Sequence, residues 1–271
     1  MSVALPVQGV GGLLRDWRQR RRMSQLELSV EAEVSTRHLS FVETGRSKPS
    51  RELVLHLAEH LGVPLRDRNA LLVAAGYAPM YRETPLDDES MAPVRAALDT
   101  ILAGHEPYPA VIVDARWNLV AANSSLGVLL DGVTPHLLQP PVNALRVSLH
   151  PEGIAPRIEN LDEWSAHLLE RLQRQVVISA DPALEALRDE LLGYPGVVDR
   201  SPSPDDPASM LFVPLRLRPS GNGREGGEPL AFFSTVATFG TALDITLTEL
   251  SIESFFPADE PTAEALQRSP R

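Results

Sequence analysis

The segment VSTRHLSFVETGRSKPS, residues 34–50, decides the fold of the amino-terminal part of the chain. Read as a helix from Thr36 at about 100° per residue, it places Leu39 and Val42 on one side. The other side carries an arginine, two hydroxyl side chains and an aromatic ring: Arg37, Ser40, Phe41 and Thr44. An apolar side and a side rich in hydrogen-bonding groups predict a helix that packs inward and contacts a partner outward.

The composition limits the classes of protein that this chain could represent. Its 271 residues suffice for two ordinary domains or one large one. It has no cysteine, which excludes disulfides, thiolate metal sites and thiol nucleophiles and fits a reducing compartment. We find no run of 18 apolar residues and no signal-peptide pattern, and therefore predict a cytoplasmic protein that does not span or bind a membrane.

The charge is unevenly distributed along the chain. Residues 1–82 carry 12 basic and 8 acidic side chains, a net charge of +4, although the whole chain has a net charge of −11. Residues 83–271 carry 13 basic and 28 acidic side chains, a net charge of −15. A basic first part in an acidic protein is expected when one domain meets a polyanion and the other does not.

Further helices surround the opening segment. Residues 11–23 predict a first helix with Leu14 and Trp17 inward and several arginines outward. Ser24 and Glu27 form a capping-box pattern for a second helix, and Ser35 predicts the N-cap of a third. Gly45 is a helix stop, and two more helices follow before residue 79.

Five short helices, with a tight turn between the second and third, predict a helix-turn-helix domain over residues 1–79. Residues 28–64 resemble the Cro/C1-type helix-turn-helix, or XRE, family, which implies binding to double-stranded DNA. One departure is Glu33, which stands where the inter-helix turn usually has glycine; the expected strain is modest.

The third helix is the predicted recognition helix. An arginine can donate two hydrogen bonds to guanine, hydroxyls suit phosphates or base edges, and phenylalanine suits a thymine methyl group. The alternative is that Phe41 packs against its own domain and that Arg37 is merely solvated. Gln25 is expected at a phosphate or base, and Arg46 and Lys48 at phosphates. The predicted DNA-binding residues are Gln25, Ser35, Thr36, Arg37, Ser40, Phe41, Thr44, Arg46 and Lys48.

The second part of the chain predicts an α+β domain. Residues 80–91 suggest a linker, and residues 92–104, 161–175 and 182–193 suggest helices. Strands are predicted over 110–113, 119–122, 211–218, 230–239 and 243–256, the last with a bulge near Glu249. The predicted fold has two domains, an all-α helix-turn-helix domain and an α+β PAS-like domain with a five-stranded antiparallel sheet. A tail over 259–271 completes the chain.

A wider resemblance covers nearly the whole chain. The stretches RHLSFVETGRSKPS, LAGHEPYPAVIVDARWNLVAAN, LHPEG and ESFFPADEPT resemble the MmyB-like transcriptional regulators, which join a helix-turn-helix to a PAS-like ligand-binding domain. The resemblance implies a bacterial regulator whose domain over residues 92–258 binds a small apolar ligand of the fatty-acid type.

We expect the ligand in a gap between the sheet and the helix over 161–175. The arginines and the histidine around LHPEG are the candidate partners of an acidic head group. The alternative is a filled core, with these arginines paired to Glu152 and Glu159. The predicted ligand-binding residues are Trp117, Arg146, His150, Arg157, Asn160, Trp164, Phe232 and Ile245.

Neither catalysis nor metal binding is predicted. His56 and His60 have the spacing of a metal pair, but no third ligand accompanies them. No nucleophile–base motif, phosphate-binding loop or cofactor motif occurs, so we expect no cofactor. Two other functions stay open for the second domain: a protein-interaction or dimerisation module, or an enzyme acting on an acyl substrate. A homodimer on a pseudo-palindromic operator is expected, because one recognition helix reads only a few base pairs.

Overall fold

The computed structural model describes residues 9–199, 213–219 and 229–268. The chain folds into two compact units. The first comprises Met1–Thr84 with the short segments Val177–Ser179 and Ala242–Thr248, and the second comprises the remainder. The first two residues of the strand predicted over 211–218 lie outside the described residues. No helix in the described part of the chain has the length and hydropathy needed to cross a membrane.

The first unit contains the five predicted helices. They are α1 (Val10–Arg20), α2 (Gln25–Glu31), α3 (Thr36–Glu43), α4 (Arg51–His60) and α5 (Leu65–Ala74). The predicted capping box is confirmed, because the Ser24 hydroxyl accepts from the Glu27 N–H while the Glu27 carboxylate accepts from the Ser24 N–H. The predicted cap at Ser35 is confirmed as well, since its hydroxyl accepts from the His38 N–H.

Tight packing fixes α3 against α1. The inner side of α3 buries Leu39 and Val42 against Leu14 and Trp17, as predicted. A Cβ on Gly11 would lie 2.1 Å from the Val42 carbonyl oxygen, so only glycine permits this approach. The turn between α2 and α3 holds Glu33 at φ 50°, in the left-handed region where glycine is favoured. The first unit therefore contains backbone strain at Glu33, in the turn that positions α3.

The predicted linker does not begin as a free segment. The Asn69 side-chain oxygen accepts from the N–H groups of Met80 and Tyr81, and Arg66 forms an ion pair with Glu83. The first unit therefore continues to Thr84, five residues beyond the predicted boundary.

The second unit has a five-stranded antiparallel sheet of order β2-β1-β5-β4-β3, which confirms the predicted sheet. The strands are β1 (Ala110–Val113), β2 (Leu119–Ala122), β3 (Leu215–Leu217), β4 (Leu230–Thr238) and β5 (Ser251–Pro257). The helices are α6 (Ala92–Gly104), α7 (Gly127–Leu130), α8 (Ala144–Leu149), α9 (Leu161–Ser179), α10 (Pro182–Leu192) and α12 (Glu260–Gln267), while α11 (Ile245–Thr248) belongs to the first unit. The main core lies between the inner face of the sheet and α8, α9 and α10.

The strand predicted over 243–256 differs from the structure. Ile245 lies in α11 and not in a strand, so the strand begins only at Ser251 and has no bulge near Glu249. The reason is a helix cap: the Asp244 carboxylate accepts from the Thr246 N–H, which outweighs the alternating pattern. The segment predicted as a tail contains α12 (Glu260–Gln267), and the Thr262 hydroxyl accepts from the Ala231 N–H of β4.

Candidate DNA-contacting surface and ligand cavity

The outer face of α3 is built around Phe41. Arg37 is exposed, and its guanidinium lies 5.3 Å from the centre of the half-buried Phe41 ring. The exposed Arg46, beyond the end of the helix, lies 5.9 Å from the same ring. Cation–π contacts of this kind are worth about 0.5–1 kcal/mol at exposed sites. Phe41 therefore holds two arginines on one exposed surface.

The hydroxyl side chains near this face have partners within the unit. The Thr44 hydroxyl donates to the Ser40 carbonyl at 2.7 Å, and the Thr36 and Ser29 hydroxyls lie 2.8 Å apart. Ser35 serves as the helix cap. The cationic residues of the predicted DNA-binding set are Arg37, Arg46 and Lys48. Lys48 is exposed, with its ammonium 5.3 Å from the Tyr77 ring centre.

Gln25 connects α2 to a buried ion pair that fixes α3. Its side-chain amide donates to the Glu43 carboxylate at 2.8 Å, and Arg18 donates to both carboxylate oxygens at 2.7 and 2.8 Å. Burial alone would raise the pKa of Glu43, but the bonds from Arg18 and Gln25 outweigh it and lower the pKa. The sequence analysis noted Glu43 only as part of the family motif.

The second unit contains a cavity of about 240 Å³ between its sheet and its helices. An apolar cavity of about 150 Å³ already admits benzene, so this one has room for a small organic molecule. Apolar and aromatic side chains form its wall except at Ser148 and Glu253, and the lining includes Val111, Trp117, Leu145, Trp164, Leu168 and Phe255.

Only some of the predicted ligand-binding residues reach this cavity. Trp117 and Trp164 line it. Phe232 is fully buried in the neighbouring core and is not part of the wall, and Ile245 belongs to the first unit.

The four residues predicted for an acidic head group do not line the cavity. Arg146 forms an exposed ion pair with Glu190 at 2.7 Å. Arg157 donates to the Asp131 carbonyl oxygen, and burial lowers its pKa. Asn160 donates to the Pro214 carbonyl oxygen, and His150 accepts from the Glu152 N–H. Each side chain therefore braces a loop or an exposed surface, and the structure does not bring this set to the ligand space.

A different polar pair borders the cavity, and the sequence analysis missed it. Arg171 on α9 donates to Glu253 on β5 at 3.0 and 3.4 Å, and the Ser234 hydroxyl donates to Glu253 at 2.8 Å. The Arg171 guanidinium also lies 4.7 Å from the Trp117 ring centre. A signal existed in the sequence: Arg171 follows Trp164 by seven residues, on the same side of α9.

A cluster of possible metal ligands also occurs in the described residues. His136, His150 and Glu152 have ligand-type atoms within 4.8 Å of one another, but His136 and Glu152 are exposed. The Nδ1 of His150 is already an acceptor for the Glu152 N–H. The spaced pair His56 and His60 is not part of such a cluster; the His56 ring nitrogen contacts the Ala32 carbonyl at 2.7 Å.

Comparison with known families agrees with both halves of this description. A helix-turn-helix domain family matches residues 10–71, and the ligand-binding domain of MmyB-like transcription regulators matches residues 94–268. A comparison with curated proteins returned no match. Both families are regulatory, and together they describe a ligand-regulated DNA-binding protein. The chain thus belongs to the MmyB-like transcription regulators.

Proposed function

We propose that this protein acts in the bacterial cytoplasm, reads operator DNA with α3 and is controlled by a small apolar, fatty-acid-like ligand in the cavity of its second unit. The observation that carries the DNA half is the exposed pair Arg37 and Arg46 around Phe41. In a helix-turn-helix, the second helix of the motif enters the major groove, and its first residues contact base edges. Arg37 is the second residue of α3, and Arg46 and Lys48 lie where phosphate contacts are expected.

The DNA half is tested by binding to a site selected from random sequence. Arg37→Ala should weaken binding to that site by about 1–3 kcal/mol and relax preference at one base pair. Lys48→Ala should weaken binding to all DNA sequences alike and reduce the salt dependence of that binding. Arg174→Ala is the matched control, because Arg174 is an exposed arginine of the second unit. Unchanged affinity of the Arg37→Ala variant for the selected site would show that α3 is not the helix that contacts the bases.

We further propose a homodimer on a pseudo-palindromic operator. The support is geometric: α3 has eight residues and can reach only a few base pairs, whereas regulators of this class gain affinity from two half-sites one helical turn apart. Nuclease footprinting measures the protected length. Protection of two related half-sites is expected, and protection of one half-site alone would contradict the dimer.

The cavity supports the ligand half of the proposal. Its wall is apolar apart from two residues, so an acyl chain gains about 0.8 kcal/mol per methylene that it buries there. Stabilisation by fatty acids should rise with chain length to an optimum and then fall. Thermal unfolding of the full chain across a series of chain lengths measures this dependence, and native mass spectrometry of the purified protein shows a retained ligand directly.

A pair of matched variants connects that response to the cavity. Leu130 lines the cavity and is half-buried, whereas Leu137 is half-buried nearby and does not line it. Leu130→Trp should abolish the stabilisation by filling the space, and Leu137→Trp should preserve it. If fatty acids of all chain lengths leave the thermal stability of the unmodified protein unchanged, the proposed ligand binding is contradicted, whereas the proposed DNA binding is unaffected.

We propose binding without turnover. The hydroxyl of Ser148 accepts from the Trp164 indole N–H at 3.0 Å, and none of the described residues that line the cavity is a histidine or lysine that could act as its base. A serine nucleophile requires such a base within hydrogen-bond reach. Recovery of the added ligand chemically unchanged after long incubation is expected, and release of a product would favour the enzyme alternative.

A further inference from the structure

Glu253 is the one ionisable side chain among the described residues that line the cavity. Its position on the inner face of β5 is shared by Phe255, and its neighbour across the sheet is Val111. The residue is 5% exposed. Removing a carboxylate from water is costly, so its presence in an apolar wall points to a role in recognition.

The carboxylate retains the capacity to accept another hydrogen bond. Its Oε1 atom accepts from Arg171 and from Ser234, at 3.0 and 2.8 Å. Its Oε2 atom accepts a longer bond of 3.4 Å from Arg171. Each carboxylate oxygen offers about two acceptor positions, so Oε2 has room for a ligand donor.

The charges around Glu253 disfavour a second carboxylate at this place. Arg171 already neutralises Glu253 and does not itself line the cavity. The nearby His167 does not line the cavity, and burial together with the neighbouring Arg171 lowers its pKa, which disfavours the charged form of its ring. An ionised ligand carboxylate beside Glu253 would therefore meet like charge without a cation of its own.

We propose that the cavity selects an apolar molecule whose buried polar end is an uncharged hydrogen-bond donor, such as a hydroxyl, bound by Glu253, and that it excludes an ionised carboxylate from that end. This inference rests on the proposed ligand function and specifies the class of ligand. A fatty acid would bind only with its carboxylate away from Glu253, whereas a long-chain alcohol satisfies both the apolar wall and the acceptor.

The test compares three probes of equal chain length: 1-dodecanol, dodecanoate and methyl dodecanoate. Dissociation constants for the full chain are measured at pH 7.5, below the concentrations at which the probes aggregate. We expect dodecanol to bind at least tenfold more tightly than either other probe, because only dodecanol offers an uncharged donor. In Glu253→Gln, the preference for dodecanol over dodecanoate should shrink at least tenfold, since the negative charge is gone and Arg171 is uncompensated.

Matched variants separate this effect from a general loss of structure. Glu190→Gln removes a carboxylate that pairs with Arg146 and does not line the cavity, so it should leave the preference unchanged. If Glu253→Gln fails to fold, the double variant Arg171→Gln, Glu253→Gln removes both charges together and should also lose the preference.

The outcomes distinguish this inference from the proposed function. Binding of dodecanoate as tight as that of dodecanol, or an unchanged preference in the Glu253 variants, overturns the inference and leaves apolar-ligand binding in place. Failure of all three probes to bind the unmodified protein overturns both.

Discussion

Two arginine–glutamate pairs lie away from bulk water in the described residues, and their surroundings differ. In the first unit, the Glu43 carboxylate accepts from Arg18 and Gln25, while Arg15 lies 3.6 Å away. In the second unit, the Glu253 carboxylate accepts from Arg171 and Ser234 and faces a cavity. Three side-chain hydrogen bonds reach each carboxylate, but the first carboxylate is enclosed by its own unit, whereas the second lines a cavity.

The difference shows how similar pairs serve different ends. The enclosed pair of Arg18 and Glu43 fixes three helices at once, because Arg18, Gln25 and Glu43 come from α1, α2 and α3. A pair that borders a cavity fixes α9 to β5 and still presents an acceptor to a ligand. The space beside the carboxylate, more than the pair itself, separates a structural role from a recognition role.

The largest expected effect is the loss of the enclosed pair of Arg18 and Glu43. Glu43→Ala leaves the buried Arg18 guanidinium without its partner, and breaking a buried pair in this way costs about 3–5 kcal/mol. Urea unfolding followed by circular dichroism measures the loss. Glu83→Ala is the control, because the exposed pair with Arg66 contributes about 0–1 kcal/mol. Equal effects of the two variants would contradict the role of Glu43.

The packing that seats this pair can be disturbed separately. Gly11→Ala places a methyl group 2.1 Å from the Val42 carbonyl oxygen, so α1 must move away from α3. Overpacking of this kind costs about 1–3 kcal/mol in the free energy of unfolding. Gly9→Ala is the control, since no atom lies within 4 Å of its added Cβ. A Gly11 variant as stable as the Gly9 variant would show that the helices separate freely.

The loss of the cavity-bordering pair should destabilise the protein less than the loss of the enclosed one. Glu253→Ala removes the three hydrogen bonds that its carboxylate accepts, but Arg171 keeps its contact with Trp117 and water can enter the cavity. We expect a loss of about 1–3 kcal/mol, smaller than for Glu43→Ala. Urea unfolding of both variants under one set of conditions provides the comparison, and a larger loss for Glu253→Ala would reverse it.

The smallest effect concerns acid. The pKa of Glu43 is lowered in the folded state, so its contribution to stability is complete above the unfolded value of about 4.3 and is lost as the pH falls through the folded value. The unmodified protein should therefore lose more stability on acidification than Glu43→Gln, which has no proton to bind there. Urea midpoints measured from pH 6 down to about pH 3 test this, and parallel curves would contradict it.

The elements that could be predicted were those set by local signals. Ser24 and Ser35 cap helices through bonds to residues three positions away, and the apolar runs over 110–113 and 119–122 need no distant partner. The alternation over 243–256 failed at Ile245 because Asp244 offers a competing cap.

The polar end of the cavity could not be predicted, because it depends on a distant pairing. Arg171 and Glu253 are 82 positions apart, and only the folded sheet brings them together. Nearness in sequence to apolar segments suggested Arg146, but its guanidinium finds Glu190 on α10, 44 positions away.

The aromatic ring of Phe41 has a consequence for the entropy of DNA binding. An arginine side chain has about 2 kcal/mol of rotamer freedom to lose when it is fixed. Arg37 and Arg46 already rest against one ring in the free protein, so part of that loss precedes association. A guanidinium held in this way offers its donors in a narrow range of directions, whereas a freely moving one can reach any nearby phosphate. Phe41 thus reduces the range of phosphates and bases that the two arginines can contact, and it favours discrimination between DNA sequences.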